Sequence, residues 1–245
     1  MFTAERLARL KEIESWHFWF HGRRILVNEL MSREKSIERH PLHLEIGCGT
    51  GRTAKEMSER GHRVVAVDLR PEGLEAMRKA NPSAILVRAD LSNLPFRCES
   101  FDLVTALDVL EHVDDSAALA ELRAVIRPTG RLILSVPAMP WLWSARDVDA
   151  GHMRRYTPTL LRSALMRAHL GIVALRYYQF VLFPLLVVSR LLGKSSRGLE
   201  ARDREEARIP VLNKILRWVN GAEAVVAARV SLPWGSSLVA VCRPW

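Results

Sequence analysis

The chain has 245 residues, which suits one α/β domain with additions. Its 49% apolar content excludes a disordered chain, and three scattered cysteines, Cys48, Cys98 and Cys242, exclude a disulfide framework or a cysteine-built zinc site. The formal net charge of +9 implies either an anionic partner, such as a phosphate-bearing lipid or a membrane surface, or merely general arginine usage. Nucleic acid is not expected, because no recognition motif interleaves aromatics with a basic face. The charged N-terminus has no apolar leader core, so the expected location is cytoplasmic.

Met1 to Ser15 carries Phe2, Leu7, Leu10 and Ile13 at roughly helical spacing. Four aromatics in five positions follow: Trp16, Phe18, Trp19 and Phe20. Residues 1–40 are read as N-terminal helices. They either pack on the domain or form a lid over an apolar substrate site, with the histidines His17 and His21 facing it.

From Pro41 to Pro137 strands alternate with helices, which predicts βαβ units and a parallel sheet. Expected strands are Leu42–Ile46, Arg63–Val67, Ala84–Arg88, Phe101–Ala106 and Arg131–Val136. Expected helices are Arg52–Arg60, Pro71–Ala80 and Ser116–Ile126, the last opened by Asp114 or Asp115 and ended by Pro128-Thr129-Gly130. The first strand runs into Gly47-x-Gly49-x-Gly51. A dinucleotide fingerprint, G-x-G-x-x-G, would place its third glycine at position 52, which is Arg52. Asp68 ends the second strand, about 20 residues after the first glycine, where a ribose-binding carboxylate belongs. Glu45, Asp68, Asp90 and Asp108 all fall at or just past strand ends, where such sheets bind ligands.

Ala138 to Thr157 is read as a loop without periodicity, and such long segments are often functional. It carries Gly151-His152-x-Arg154-Arg155-Tyr156. The arginines could clamp a phosphate or carboxylate on the substrate, or pair with Asp147 and Asp149 and only fold the loop. A helix Pro158–His169 and a strand from Ile172 to about Phe180 follow, and the last strand begins at Ser237. Residues 181–235 form a helical, apolar and basic insertion before it. The run Phe180–Val188 is too short to span a bilayer and contains Pro184. With Arg190, Lys194 and Arg197 behind it, the segment suits either an anionic membrane surface or a helical hairpin packed on the sheet.

The string Glu45-x-Gly47-x-Gly49-x-Gly51 resembles the first motif of class I S-adenosylmethionine (SAM) dependent methyltransferases. Ala89-Asp90-Leu91, Leu94-Pro95-Phe96, Phe101-Asp102-Leu103-Val104, Leu107 to Val113 and Leu132 to Pro137 resemble the later motifs, in order. The resemblance spans roughly Pro41 to Pro137. It implies an α/β, Rossmann-like fold: a mostly parallel seven-stranded sheet with helices on both faces. It makes residues 41–245 a methyltransferase domain and SAM the cofactor. It implies cofactor contacts from Glu45, Gly47, Gly49, Gly51, Asp68, Leu69, Asp90, Leu91 and Asp108. Ribose would meet Asp68, adenine Leu69, Asp90 and the Leu91 amide, and the methionyl end Glu45 and Asp108.

The acceptor is expected to be small or lipid-like and methylated at oxygen. His112 and His152 are the candidate bases, and Arg154, Arg155, Tyr156 and Trp19 the candidate substrate contacts. Asp108-x-x-Glu111-His112 resembles a pattern linked to a divalent metal in quinone-biosynthesis O-methyltransferases. The Leu-Glu-His-Val string also occurs in relatives without metal, and no metal is assigned. Two rival readings stand beside this one: a SAM-binding scaffold at a membrane complex, and a nucleotide-dependent oxidoreductase, which Arg52 disfavours.

Overall fold

Short apolar runs make the strands, and period-two alternation divides each run between two layers. The computed structural model describes residues 4–34, 40–193 and 210–245. Its strands are β1 (Leu42–Ile46), β2 (Arg63–Asp68), β3 (Ile85–Arg88), β4 (Phe101–Leu107), β5 (Ile126–Pro137), β6 (Leu170–Tyr178) and β7 (Ser237–Pro244). Its helices are α1 (Ala4–Trp16), α2 (Phe18–Arg33), α3 (Arg52–Glu59), α4 (Pro71–Ala80), α5 (Asp115–Val125), α6 (Ala145–Ala150), α7 (Pro158–Arg167), α8 (Phe183–Gly193) and α9 (Pro210–Ala227). The strands form one seven-stranded sheet of order β3-β2-β1-β4-β5-β7-β6. β1 to β5 run parallel, and β7 lies antiparallel between β5 and β6. The expected fold is therefore present.

Leu44, Ile46, Val65, Val67, Val104 and Leu132 face one way, onto Leu119 and Leu122 of α5 and Leu161 and Leu165 of α7. Their sequence neighbours Val64, Ala66, Leu103 and Ile133 face the other way, onto Leu26 and Leu30 of α2, Met57 of α3, Met77 of α4 and Ala224 of α9. Each fully buried leucine contributes about 1.5–3 kcal/mol. Caps fix the helix starts: Asp114 accepts from the Ser116 N–H at 2.9 Å, and Thr157 accepts from the Leu160 N–H at 3.1 Å ahead of Pro158.

Two local expectations are corrected. Pro128-Thr129-Gly130 does not end a helix; α5 stops at Val125, and these residues lie within β5. Ile126 pairs with Phe101, and the register shifts before Leu103, so the Pro-Thr-Gly stretch is absorbed as a strand irregularity. Gly130 is needed there, because a Cβ would sit 2.9 Å from the Phe101 carbonyl oxygen. Ala138 to Thr157 is not structureless either. It holds a turn of 3-10 helix, Pro140–Leu142, and α6. Ser144 and Asp147 close a capping box at the start of α6, and Gly151 (φ 76°) ends it.

The N-terminal helices and the insertion form one layer. The Asn213 side chain accepts from the Phe18 N–H at 3.1 Å and donates to the Trp16 carbonyl at 2.6 Å. The Asn220 amide donates to the Tyr178 hydroxyl at 2.6 Å and to the Phe18 carbonyl at 3.1 Å, while Tyr178 donates to the Trp19 carbonyl at 3.1 Å. Glu223 caps the insertion's first turn by accepting from the Phe180 and Val181 N–H groups. The charged run Arg197 to Arg208, Lys194 and the side chain of Arg190 lie outside the described residues. No described helix is long and apolar enough to cross a membrane.

Candidate active site

The chain leaves β1 toward β2 on one side and β4 toward β5 on the other, so a crevice opens beyond the carboxyl ends of β1 and β4. The glycine turn fills its floor. Gly47, Gly49 and Gly51 all have positive φ, at 67°, 48° and 77°. The turn is pinned by the Gly47 N–H to the Val67 carbonyl at 2.8 Å and the Gly51 N–H to the Cys48 carbonyl at 2.8 Å. A Cβ on Gly51 would meet the Met77 Cα at 2.9 Å, whereas one on Gly49 would meet nothing nearer than 3.8 Å. Gly49 is thus the point where the backbone itself is open to a ligand.

Asp68, at the end of β2, accepts from the Gly49 N–H at 3.1 Å and from the Arg70 N–H at 2.9 Å, which ties it to the turn. Leu69 beside it is 55% exposed. Asp90 accepts from the Ser92 N–H and hydroxyl, and these bonds hold its carboxyl below the usual range. Leu91 turns its side chain into the core. Glu45 is buried, and its Oε2 has no hydrogen-bond partner. Burial, then the Glu14 carboxylate, push its pKa up to about 8, against the opposing pull of Arg23.

Asp108 lies one residue past β4 in a left-handed conformation (φ 56°). It accepts from the Ser135 hydroxyl at 2.8 Å and pairs with Arg23 of α2. The Arg23 guanidinium is stacked 4.7 Å from the Trp19 ring centre and 5.4 Å from that of Phe20. Thr50 of the turn donates to Glu14 of α1. The turn and the strand end are therefore roofed by the N-terminal helices.

Beyond Asp108 lies a cluster that sequence spacing does not bring together. Glu111 is fully buried, and neither of its carboxylate oxygens has a hydrogen-bond partner. His112 meets the Gly151 carbonyl through Nδ1 at 3.1 Å. His152 meets Asp147 Oδ1 through Nδ1 at 3.0 Å, and its Nε2 stands 3.8 Å from Glu111 Oε1. Burial, then the nearby Asp108, push the Glu111 carboxyl well above its usual value, against the opposing pull of Arg23 and Arg155. The Met153 N–H binds the Glu111 carbonyl at 2.7 Å and fastens the two segments together.

A cavity of about 560 Å³ joins these groups. Its polar lining includes Glu45, Gly47, Gly49, Asp108, Glu111, His112 and His152. Its apolar lining includes Leu7 and Leu10 of α1, Trp19 of α2, Leu185 of α8, and Leu212 and Leu216 of α9. Asp68, Leu69, Asp90 and Leu91 lie outside its lining. Arg154 and Tyr156, expected at the acceptor, are elsewhere. Both bind Asp115 of α5, at 2.8 and 3.0 Å, and neither lines the cavity. Arg155 does line it, but its described bonds go to Asp147 Oδ1 and the Ala138 carbonyl, each at 2.8 Å, so it braces the loop. Sequence reasoning missed Arg23 and Glu14; it named Glu111 only within a metal-type pattern, and Asp147 only as a partner of the loop arginines, which Arg155 indeed is. The Trp19 to Arg23 helical spacing and the Ser144-x-x-Asp147 box were the available signals for Arg23 and Asp147.

A family model described as a methyltransferase domain matches residues 44–134. That match covers both motif strands, the glycine turn and the Asp108 to His112 segment. The fold is that of the class I SAM-dependent methyltransferases. It is 35% identical over 111 residues to an uncharacterized methyltransferase of Mycobacterium tuberculosis, covering 45% of this chain and 43% of that one. It is 29% identical over 169 residues to a probable S-adenosylmethionine-dependent methyltransferase of the same organism, covering 68% and 60%. This chain thus spans less than two thirds of either curated relative's length. The methyltransferase solved in complex with the Haloferax volcanii Trm112 methyltransferase activator shares the fold at 17% identity. Its TM-score is 0.65 over 97% of this chain and 95% of that one. SAM is the cofactor of this family.

Proposed function

We propose that this methyltransferase moves the methyl group of SAM to an oxygen on an acceptor that carries an apolar chain. The observation behind this is the cavity, whose one lining joins the glycine turn, Glu45 and Asp108 to apolar side chains from α1, α2, α8 and α9. Asp68 serves both ribose hydroxyls, because an ionised carboxylate can accept two donors. Leu69 packs on adenine, with Asp90 and the Leu91 amide at its edge. Glu45 takes the methionyl ammonium. Methyl transfer is an in-line displacement at an activated carbon, so the protein chiefly positions two reactants and removes one proton. His152 is the first choice of base. Asp147 fixes its Nδ1 as the N–H, which leaves the Nε2 lone pair on the cavity side of the loop. His112 is the second.

Calorimetry with S-adenosylhomocysteine, beside Asp68→Ala, tests the cofactor half. Binding should weaken about tenfold or more in the variant, as expected when a charged hydrogen-bond acceptor is removed. Mass spectrometry of hydroxylated apolar acceptors incubated with SAM then tests the transfer. Binding of NAD(H) without SAM affinity would overturn the reading. SAM binding without any methylated product would favour a scaffold.

A second reading concerns where the acceptor is met. Val211 is 74% exposed, Trp218 75% and Leu185 58%, on two helices that contribute to the apolar lining. We infer that this face rests on an anionic membrane surface on the cytoplasmic side. The protein should then float with anionic liposomes, and Val211→Glu with Trp218→Glu should abolish flotation while sparing S-adenosylhomocysteine binding. Equal flotation of both proteins would defeat this reading.

A further inference from the structure

Glu111, His112 and His152 supply one ligand atom each within 4.8 Å of one another. We propose that these three side chains bind one divalent transition-metal ion of the manganese-to-zinc series.

Three features converge on this. First, Glu111 is 0% exposed, yet neither of its oxygens receives a hydrogen bond. A buried polar group is normally paired, so this one awaits a cation or holds a proton. Second, both histidines use Nδ1 on acceptors that cannot donate, the Gly151 carbonyl and the Asp147 carboxylate. Nδ1 therefore carries the hydrogen in each, and the lone pair of each neutral ring is on Nε2. The Nε2 of His152 and Glu111 Oε1 then stand 3.8 Å apart, beyond hydrogen-bond distance, so neither satisfies the other. Third, the support is that of a metal histidine. Asp147 orients His152 and is itself held by Arg155 and by the Ser144 N–H at 2.9 Å.

The donor set fits the ion. Two imidazoles and one carboxylate suit iron, cobalt, nickel or zinc better than calcium or magnesium. Bonds of about 2.0–2.2 Å keep ligand atoms within about 4 Å of each other, so side-chain movements of about 1 Å close the site. This is not the Asp108-Glu111-His112 set suggested by sequence spacing. Asp108 spends its oxygens on Arg23 and Ser135, and its place is taken by His152, 41 residues beyond Glu111 and joined to it through the Met153 amide. Ion binding does not depend on the proposed methyl transfer. Only one consequence does: the cluster lines the cavity, so an open coordination position there would take the acceptor hydroxyl and ease its ionisation, and the bound ion would then replace His152 as the group that activates the acceptor.

The test uses the full chain after chelator treatment, titrated with Co²⁺ and followed by its visible absorption, and with Zn²⁺ and Mn²⁺ by calorimetry. One equivalent should bind at micromolar concentration or tighter, with a cobalt spectrum typical of nitrogen and oxygen ligands. Glu111→Gln and His152→Ala should each weaken binding about tenfold or more, as loss of a metal's supporting groups does elsewhere. Asp108→Asn should retain it. Circular dichroism and S-adenosylhomocysteine binding report whether each variant is folded. Two outcomes would overturn the site: no binding of the three ions at millimolar concentration by wild type that binds S-adenosylhomocysteine, or binding that neither ligand variant alters. The first would assign the orphaned carboxylate a proton instead. Loss of S-adenosylhomocysteine binding with retained metal binding would instead overturn the methyl-transfer reading alone.

Discussion

The buried Glu45 makes cofactor binding a proton-release reaction. Burial and the neighbouring Glu14 raise its pKa to about 8, so at pH 7 about nine-tenths of the ligand-free protein holds it neutral. On the proposed reading, Glu45 must be a carboxylate to bind the methionyl ammonium. The competent fraction is about 1% at pH 6 and about half at pH 8, so affinity for S-adenosylhomocysteine should rise about fifty-fold between them. At pH 7 each binding event should release about 0.9 proton, a number that follows from the same pKa. Calorimetry in buffers of different ionisation enthalpy measures that proton directly. Glu45→Gln should bind more weakly at pH 8, with no proton release and a flat profile from pH 6 to 8. A wild-type profile as flat as the variant's would refute the reasoning, because the buried carboxyl would then be ionised before the ligand arrives.

Other perturbations give distinct outcomes. His43 is fully buried, and its pKa is pushed down to about 3 by burial, then by His62, against 6.5 when unfolded. Its contribution to stability is therefore complete above pH 6.5 and is lost as pH falls toward 3, about 2 kcal/mol of it by pH 5. Glu45 acts oppositely over this range, gaining stability as pH falls. The His43 effect is thus read as the difference between wild type and His43→Gln in urea unfolding, and equal pH slopes would contradict it. Gly51→Ala combines a φ of 77° with a Cβ 2.9 Å from the Met77 Cα. It should cost about 1–3 kcal/mol of stability in thermal unfolding, together with cofactor affinity. Asn220→Ala removes the donor to the Tyr178 hydroxyl and to the Phe18 carbonyl, and should cost about 2 kcal/mol by urea midpoint.

Much of this was legible in the chain. The five parallel strands announced themselves because a strand buried on both faces must be apolar nearly throughout, as Val64 to Val67 is. The cofactor end was legible because a positive-φ turn admits few residues, so Gly47, Gly49 and Gly51 mark it. The acceptor end was not. Arg154, Arg155 and Tyr156 are the residue types that grip anionic substrates, and they equally brace a loop. Only the positions of Asp115 and Asp147 decide which. Glu111 and His152 are 41 residues apart, and no local pattern records that the Met153 amide joins their segments. Arg23 reached Asp108 across 85 residues for the same reason.

The layer shared by α2 and α9 also has a consequence for how the molecule is made. Leu26, Val27 and Leu30 are at most 4% exposed, and they cover one face of the central strands together with Ala224 and Ala227. Helix α2 thus waits during synthesis for a partner, α9, that follows it by nearly 200 residues. Until residue 227 has emerged, that face of the sheet is half covered and its apolar strands stay open to solvent. Such late, long-range closure slows folding and leaves nascent chains prone to association. The order of synthesis therefore bears on how much folded protein a cell obtains, alongside the stability of the finished fold.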